Sequence, residues 1–160
     1  MLGLGPLKIN DSGELTEFCY VLQDEIDDME AISVTAADIY IDYAQGAKIE
    51  SSGNVYITGK GQYTSNILAL GNIEFTGNNS VCRGGELIAG NEIKLKTVGS
   101  TAGVSTILKV PKNGKITAEV AYSNTLFCFG DRQLLLEISS KDLVAYLDKK
   151  NDIIIEKFVL

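Results

Sequence analysis

Between residues 37 and 110 apolar and polar residues alternate in short runs, and the runs recur. Val55/Ile57, Ile73/Phe75 and Ile93/Leu95 each stand two apart, a spacing that turns both side chains of a strand to one face. Tyr56, Glu74 and Lys94 fall between them and are expected to face water. A small residue and an Asp or Asn precede each run: Ala37-Asp38, Gly53-Asn54, Gly71-Asn72 and Gly90-Asn91. These Asp/Asn positions are 16, 18 and 19 residues apart, with no helix-sized apolar segment between them. Each coil carries a second run, at residues 47–49, 66–69, 86–89 and 106–110. The pattern predicts an all-β chain wound into a parallel β-solenoid, one coil per repeat, with apolar columns inside.

Glycine at the repeat turns permits positive φ, and Asn or Asp tolerates the left-handed region better than most residues. Stacked Asp38, Asn54, Asn72 and Asn91 would either form a polar ladder along one corner or stand as separate solvated turns. Two solenoid types compete. A left-handed hexapeptide solenoid needs an aliphatic residue every six positions. From Ile49 that register meets Ile49, Val55, Gly61, Ile67, Ile73, Asn79 and Gly85, four matches in seven, and then slips. The variable coil length favours a single-stranded right-handed parallel β-helix, whose loops absorb insertions.

Solenoid ends expose an open core and unpaired edges, so caps are expected. Residues 125–129, Gly130-Asp131 and 134–138 read as a β-hairpin cap, and residues 143–158 as a second hairpin or, alternatively, a helix over 140–150. The expected organisation is an irregular acidic N-terminal segment over residues 1–35, coils over 36–120, and an antiparallel cap of the same domain over 121–160.

Charge changes the picture. Residues 1–50 hold eleven acids against two lysines, whereas 51–160 hold ten acids against twelve bases. The acidic part repels nucleic acid and anionic headgroups. Asp24, Glu25, Asp27, Asp28 and Glu30 form its densest cluster and are the candidate interaction face for a basic partner protein. They lack the alternating ligands and glycine of an EF-hand loop. Cys19, Cys82 and Cys128 are too few and too scattered for a disulfide framework, which suggests free thiols in a reducing compartment. Residues 1–7 have no basic region or long apolar core of a signal peptide, and no apolar run approaches a membrane span, so a cytoplasmic setting is expected.

The passage Arg83-Gly84-Gly85-Glu86-Leu87-Ile88-Ala89-Gly90-Asn91-Glu92-Ile93, continued by Val98-Gly99-Ser100-Thr101-Ala102-Gly103-Val104-Ser105-Thr106, resembles the β-helix region of the flagellar assembly protein A family. Residues 134–156 look like the strands that close that family's solenoid. The resemblance spans roughly residues 36–160. It implies a non-catalytic solenoid with a link to flagellar assembly or its regulation, and no catalytic residues to carry over. The chain lacks the large N-terminal domain and the coiled coil of longer members, and Pro111 follows Val110 where a glycine is usual. Bactofilins, cytoskeletal β-helix polymers, are a more distant likeness.

No histidine is present, which excludes Ser-His-Asp and Cys-His chemistry and the usual zinc sites. Asp38 and Asp42 are the only close acids on a repeat strand, and along an extended strand they would stand about 13 Å apart, too far for paired-carboxylate work. The run from Gly53 to Gly61 differs from a P-loop in spacing, in the residue after Lys60 and in leading into β-type residues rather than a helix. No cofactor or metal site is expected. Lys94, Lys96, Lys109, Lys112 and Lys115 form either a solubilising face or an anion contact, and the absence of interleaved arginines makes nucleic acid an unfavoured partner. The residues therefore predict a rigid scaffold for protein–protein interaction. Self-assembly through the solenoid ends, as in bactofilins, and anion binding through the lysines are the alternatives.

Overall fold

The computed structural model describes residues 35–160 continuously, together with Gly13, Leu15, Thr16, Phe18, Cys19, Tyr20 and Leu22, which are helical. The chain divides into two compact units, Met1–Val34 and Thr35–Leu160. The second unit is a β-solenoid.

Its strands are β1 (Ile39–Gln45), β2 (Lys48–Ser51), β3 (Val55–Ala69), β4 (Ile73–Phe75), β5 (Val81–Ala89), β6 (Glu92–Val98), β7 (Thr106–Val110), β8 (Lys115–Ala121) and β9 (Thr125–Phe129), followed by β10 (Arg132–Leu136), β11 (Ser140–Leu147) and β12 (Ile153–Val159). Register defines three faces per coil. On the first, Ile39, Val55, Ile73, Ile93 and Ile116 stack in parallel register, so successive coils contain 16, 18, 20 and 23 residues. On the third, Ile49, Ile67, Leu87, Leu108 and Phe127 stack likewise. From the second coil onward these columns are buried and form the core, with Ile39 and Ile49 partly buried against its end. Their alternation with outward side chains is what the period-2 pattern requires.

The second face went unread in the sequence. Ala44, Gln62, Cys82, Val98 and Ala121 stack there, and all five side chains are buried. Small and polar residues fill this column, so it leaves no apolar run. Gln62 is tolerated because its bonds are made inside: Nε2 donates to Gly84 O at 2.8 Å and to Cys82 Sγ at 3.0 Å, and Oε1 accepts from Ser65 N at 2.9 Å.

The C-terminal end switches from parallel to antiparallel pairing. β9 still runs parallel to β7, and β10 folds back on it through Gly130-Asp131, with Gly130 at φ 57°. The cap hairpin therefore forms, with its second strand starting two residues earlier than the sequence suggests. β11 pairs antiparallel with β8, and β12 pairs antiparallel with β11. Residues 140–147 are a strand, so the helical alternative for this stretch is not realised.

Candidate interaction surface

The acidic cluster Asp24, Glu25, Asp27, Asp28 and Glu30 lies outside the described residues. The turn residues Asp38, Gly53, Asn54, Gly71, Asn72, Gly90 and Asn91 lie at the corner that opens the first face. Asp38 Oδ1 accepts from the backbone N–H of Asn54 at 2.7 Å and from its side-chain amide at 3.0 Å. One coil on, Asn54 Oδ1 accepts from the backbone N–H of Asn72 at 2.8 Å. A Cβ on Gly71 would stand 2.5 Å from Asn54 Oδ1, and a Cβ on Gly53 would collide with Asp38 Oδ1. Asp38 and Asn54 thus fill the space that the next coil's glycine leaves open, whereas at Gly90 that space is taken by the Leu70 backbone. The ladder stops at Asn91. One added residue, Glu92, separates Asn91 from Ile93, so Asn91 N bonds Gly71 O instead, at 3.2 Å.

The outward ranks carry mixed chemistry. Tyr40 and Tyr56 stack with ring centroids 4.8 Å apart, and Arg83 lies 5.2 Å from the Tyr63 centroid. Loss of hydration, then the nearby Asp38, Tyr40 and Glu74, raise the Tyr56 phenol above its ordinary range. A groove of about 480 Å³ crosses β6, β8 and β11, bordered by Glu74, Lys94, Lys96, Glu119 and Asp142.

The five lysines do not share a face. Lys94, Lys96 and Lys115 belong to β6 and β8, Lys109 belongs to β7 on the third face, and Lys112 sits in the turn between β7 and β8. Four of them are ion-paired: Lys94 with Glu92 at 3.3 Å, Lys109 with Glu86 at 2.5 Å, Lys112 with Asp131 at 2.9 Å, and Lys96 with Glu119. Local pairing neutralises these four, across adjacent strands for Lys96 and Lys109, within β6 for Lys94 and between turns for Lys112, which the lysine positions alone do not reveal.

The inner chemistry is quiet. Burial pushes the Cys82 thiol up to about 12, partly opposed by its hydrogen bond to Gln62, and burial also raises Cys128. Thiols so shifted are poor nucleophiles. Asp38 and Asp42 are turned to successive corners, against Gly53 and Gly59. The P-loop-like run is a turn followed by the first residues of β3. Among the described residues no group of acids and cysteines could hold a metal ion, and no helix is long and apolar enough to cross a membrane.

Coil-stacked parallel strands with columns inside and paired charges outside define a β-solenoid domain. The chain belongs to the Flagellar Assembly Protein A beta solenoid domain family, whose sequence profile matches residues 22–135. The match ends within β10, so β11 and β12 lie beyond it. Among curated proteins no relative matches. Among solved structures, the MinC:MinD cell division protein complex of Aquifex aeolicus is similar at 17% identity over 76% of this chain and 87% of that chain. Its TM-score of 0.34 is too low to carry an argument.

Proposed function

We propose that the chain is a non-catalytic scaffold for protein–protein interaction, tied to flagellar assembly or its regulation and working in the cytoplasm. The family match carries this reading. A solenoid supports it physically, because it presents long regular surfaces and buries a core that needs no functional group. The acidic cluster Asp24, Glu25, Asp27, Asp28 and Glu30 is the proposed contact, and its partner is a protein with a basic surface. Ion pairing of four lysines argues against an anion-binding role.

The test is affinity capture from lysate of the source cells, read by mass spectrometry. The bait is compared with a variant in which Asp24, Glu25, Asp27 and Asp28 are replaced by lysine. Flagellar or regulatory proteins captured by the wild type and lost with the variant are the expected result. A partner retained at full strength by the variant would move the contact elsewhere.

A further inference from the structure

Asn113 is the one asparagine of the chain that precedes a glycine. Position 114 has no room for a side chain: a Cβ there would stand 2.6 Å from both Asn91 O and Val110 Cβ. Packing against the preceding coil thus sets a glycine behind Asn113, whose own side chain is exposed. Asn-Gly is the dipeptide in which the following backbone nitrogen reaches the side-chain amide with least hindrance. Gly114 N donates to Pro111 O at 2.9 Å and closes a four-residue turn between β7 and β8. Neither of its central residues, Lys112 and Asn113, has positive φ, so the turn is type I. In such a turn ψ of the third residue is about 0°, which makes Gly114 N eclipse Asn113 N and leaves it about 120° of rotation from Asn113 Cβ. A succinimide ring needs Gly114 N to eclipse that Cβ instead. The turn is tethered on both sides: Lys112 Nζ pairs with Asp131 at 2.9 Å, and Lys115 N donates to Asn91 O at 3.3 Å. The rotation therefore requires the turn to open.

We propose that Asn113 is a latent modification site, closed to deamidation in the folded chain and converted when the turn between β7 and β8 opens. Gly114 N gives up its proton to base and attacks Asn113 Cγ. The bond from Cγ to the side-chain nitrogen breaks, and that nitrogen leaves as ammonia with a proton from the solvent. Water then opens the succinimide at either carbonyl, giving aspartate or isoaspartate. The balance is amide plus water to carboxylic acid plus ammonia, with no oxidant or reductant. Isoaspartate lengthens the backbone of the turn by a methylene. Either product sets a carboxylate beside Lys112, which already holds Asp131. Conversion at Asn113 thus records that the link from the third face of one coil to the first face of the next has opened.

Peptide mass spectrometry of the full chain tests this, after ageing at mildly alkaline pH in buffer and in guanidinium chloride at an unfolding concentration. Conversion at Asn113, read as a gain of about 1 Da in the peptide that carries it, is expected in denaturant. In buffer it should run at least about tenfold more slowly, as a reaction gated by local opening does. Hydrogen exchange at the Gly114 amide supplies a second readout. Exchange breaks the same hydrogen bond and removes the same proton, whereas ring closure needs the rotation as well. Protection of Asn113 should therefore equal or exceed protection of the Gly114 amide. Asn113→Gln, whose longer side chain disfavours the ring, should abolish the conversion in denaturant. Equal rates in buffer and denaturant overturn the proposal, as does an absence of conversion in denaturant. Protection of Asn113 weaker than that of the Gly114 amide overturns it too, because the reaction would then proceed with the turn closed.

Discussion

Asp38 and Asn54 are joined twice across adjacent coils: one carboxylate oxygen of Asp38 accepts both the backbone N–H and the side-chain amide of Asn54. The same oxygen occupies the space that a side chain on Gly53 would need. The recurring small-residue and Asx pair is therefore one device. The Asx reaches forward to the next coil, and the glycine of that coil receives it.

Gly53→Ala should destabilise the solenoid by about 1–3 kcal/mol through this collision. Asp38→Ala should cost about 1–2 kcal/mol, two hydrogen bonds at a partly solvated corner. The double variant should lose less than the sum, because removing the carboxylate vacates part of the space the new methyl needs. Backbone atoms of Ala37 at 2.9 Å keep the relief incomplete. Urea midpoints of the four proteins check the cycle, and strict additivity would mean that the two groups do not compete for one space.

Ile73 is fully buried between Val55 and Ile93, and Glu74 points outward between Tyr56 and Lys94. Ile73→Ala should cost on the order of 2–5 kcal/mol, and Ile73→Asp should be more severe because it buries an unpaired charge. Glu74→Ala should stay within about 0.5 kcal/mol, because Glu74 is an outward, half-buried side chain in none of the ion pairs of the described residues. Denaturant titration of the three variants decides it, and a sensitive Glu74 beside a tolerant Ile73 would invert the register.

The first and third faces were legible because their inward columns are aliphatic and alternate cleanly, as Val55/Ile57 and Leu108/Val110 do. The second face was not, because Ala44, Gln62 and Cys82 make no hydrophobic run. Gln62 is also out of phase: the other buried residues of β3 stand at 55, 57, 61, 65, 67 and 69, and Gln62 directly follows buried Gly61, so the period-2 pattern points it the wrong way. The slip at Asn91 was hidden as well. A ladder depends on the count of residues between corner and strand, and the motif Gly90-Asn91 looks intact although Glu92 shifts it by one. The spread of the lysines follows from coil length, which separates Lys96 from Lys109 by a whole loop and a change of face.

Thr64 adopts φ 50°, a region that a β-branched residue seldom occupies. Its neighbours in the stack, Gly46 and Gly84, hold φ 58° and 68°, so this corner requires a left-handed residue in each of the three coils. The strain at Thr64 is of the order of 1–2 kcal/mol. Glycine would remove it while adding roughly 0.5–1 kcal/mol of unfolded-state entropy. Thr64→Gly should therefore leave the protein unchanged to more stable by up to about 1.5 kcal/mol, a net of those two effects. The side chain is exposed and little packing is lost. A raised melting temperature supports the reading, and a lowered one would show that the threonine packs usefully.

Cys82 should report on opening of the solenoid. Cys19 is exposed, while Cys82 and Cys128 are buried. At mildly alkaline pH one thiol of the native protein should react at once with a disulfide reagent, and the other two only as the structure opens. The pH dependence follows from burial, which lifts the Cys82 thiol from 9.0 to about 12. Below pH 9 both folded and unfolded chains keep this proton, and the contribution of the buried thiol to stability is fully present. Between 9 and about 12 the unfolded chain loses the proton and the folded chain retains it. The unfolded state then binds fewer protons, so stability falls as pH rises through that window. Cys82→Ala removes the titrating group and should flatten this part of the fall, even though the variant begins less stable from the lost packing. Stability curves of both proteins across alkaline pH check the sign, and parallel curves would mean that Cys82 does not contribute to the alkaline transition.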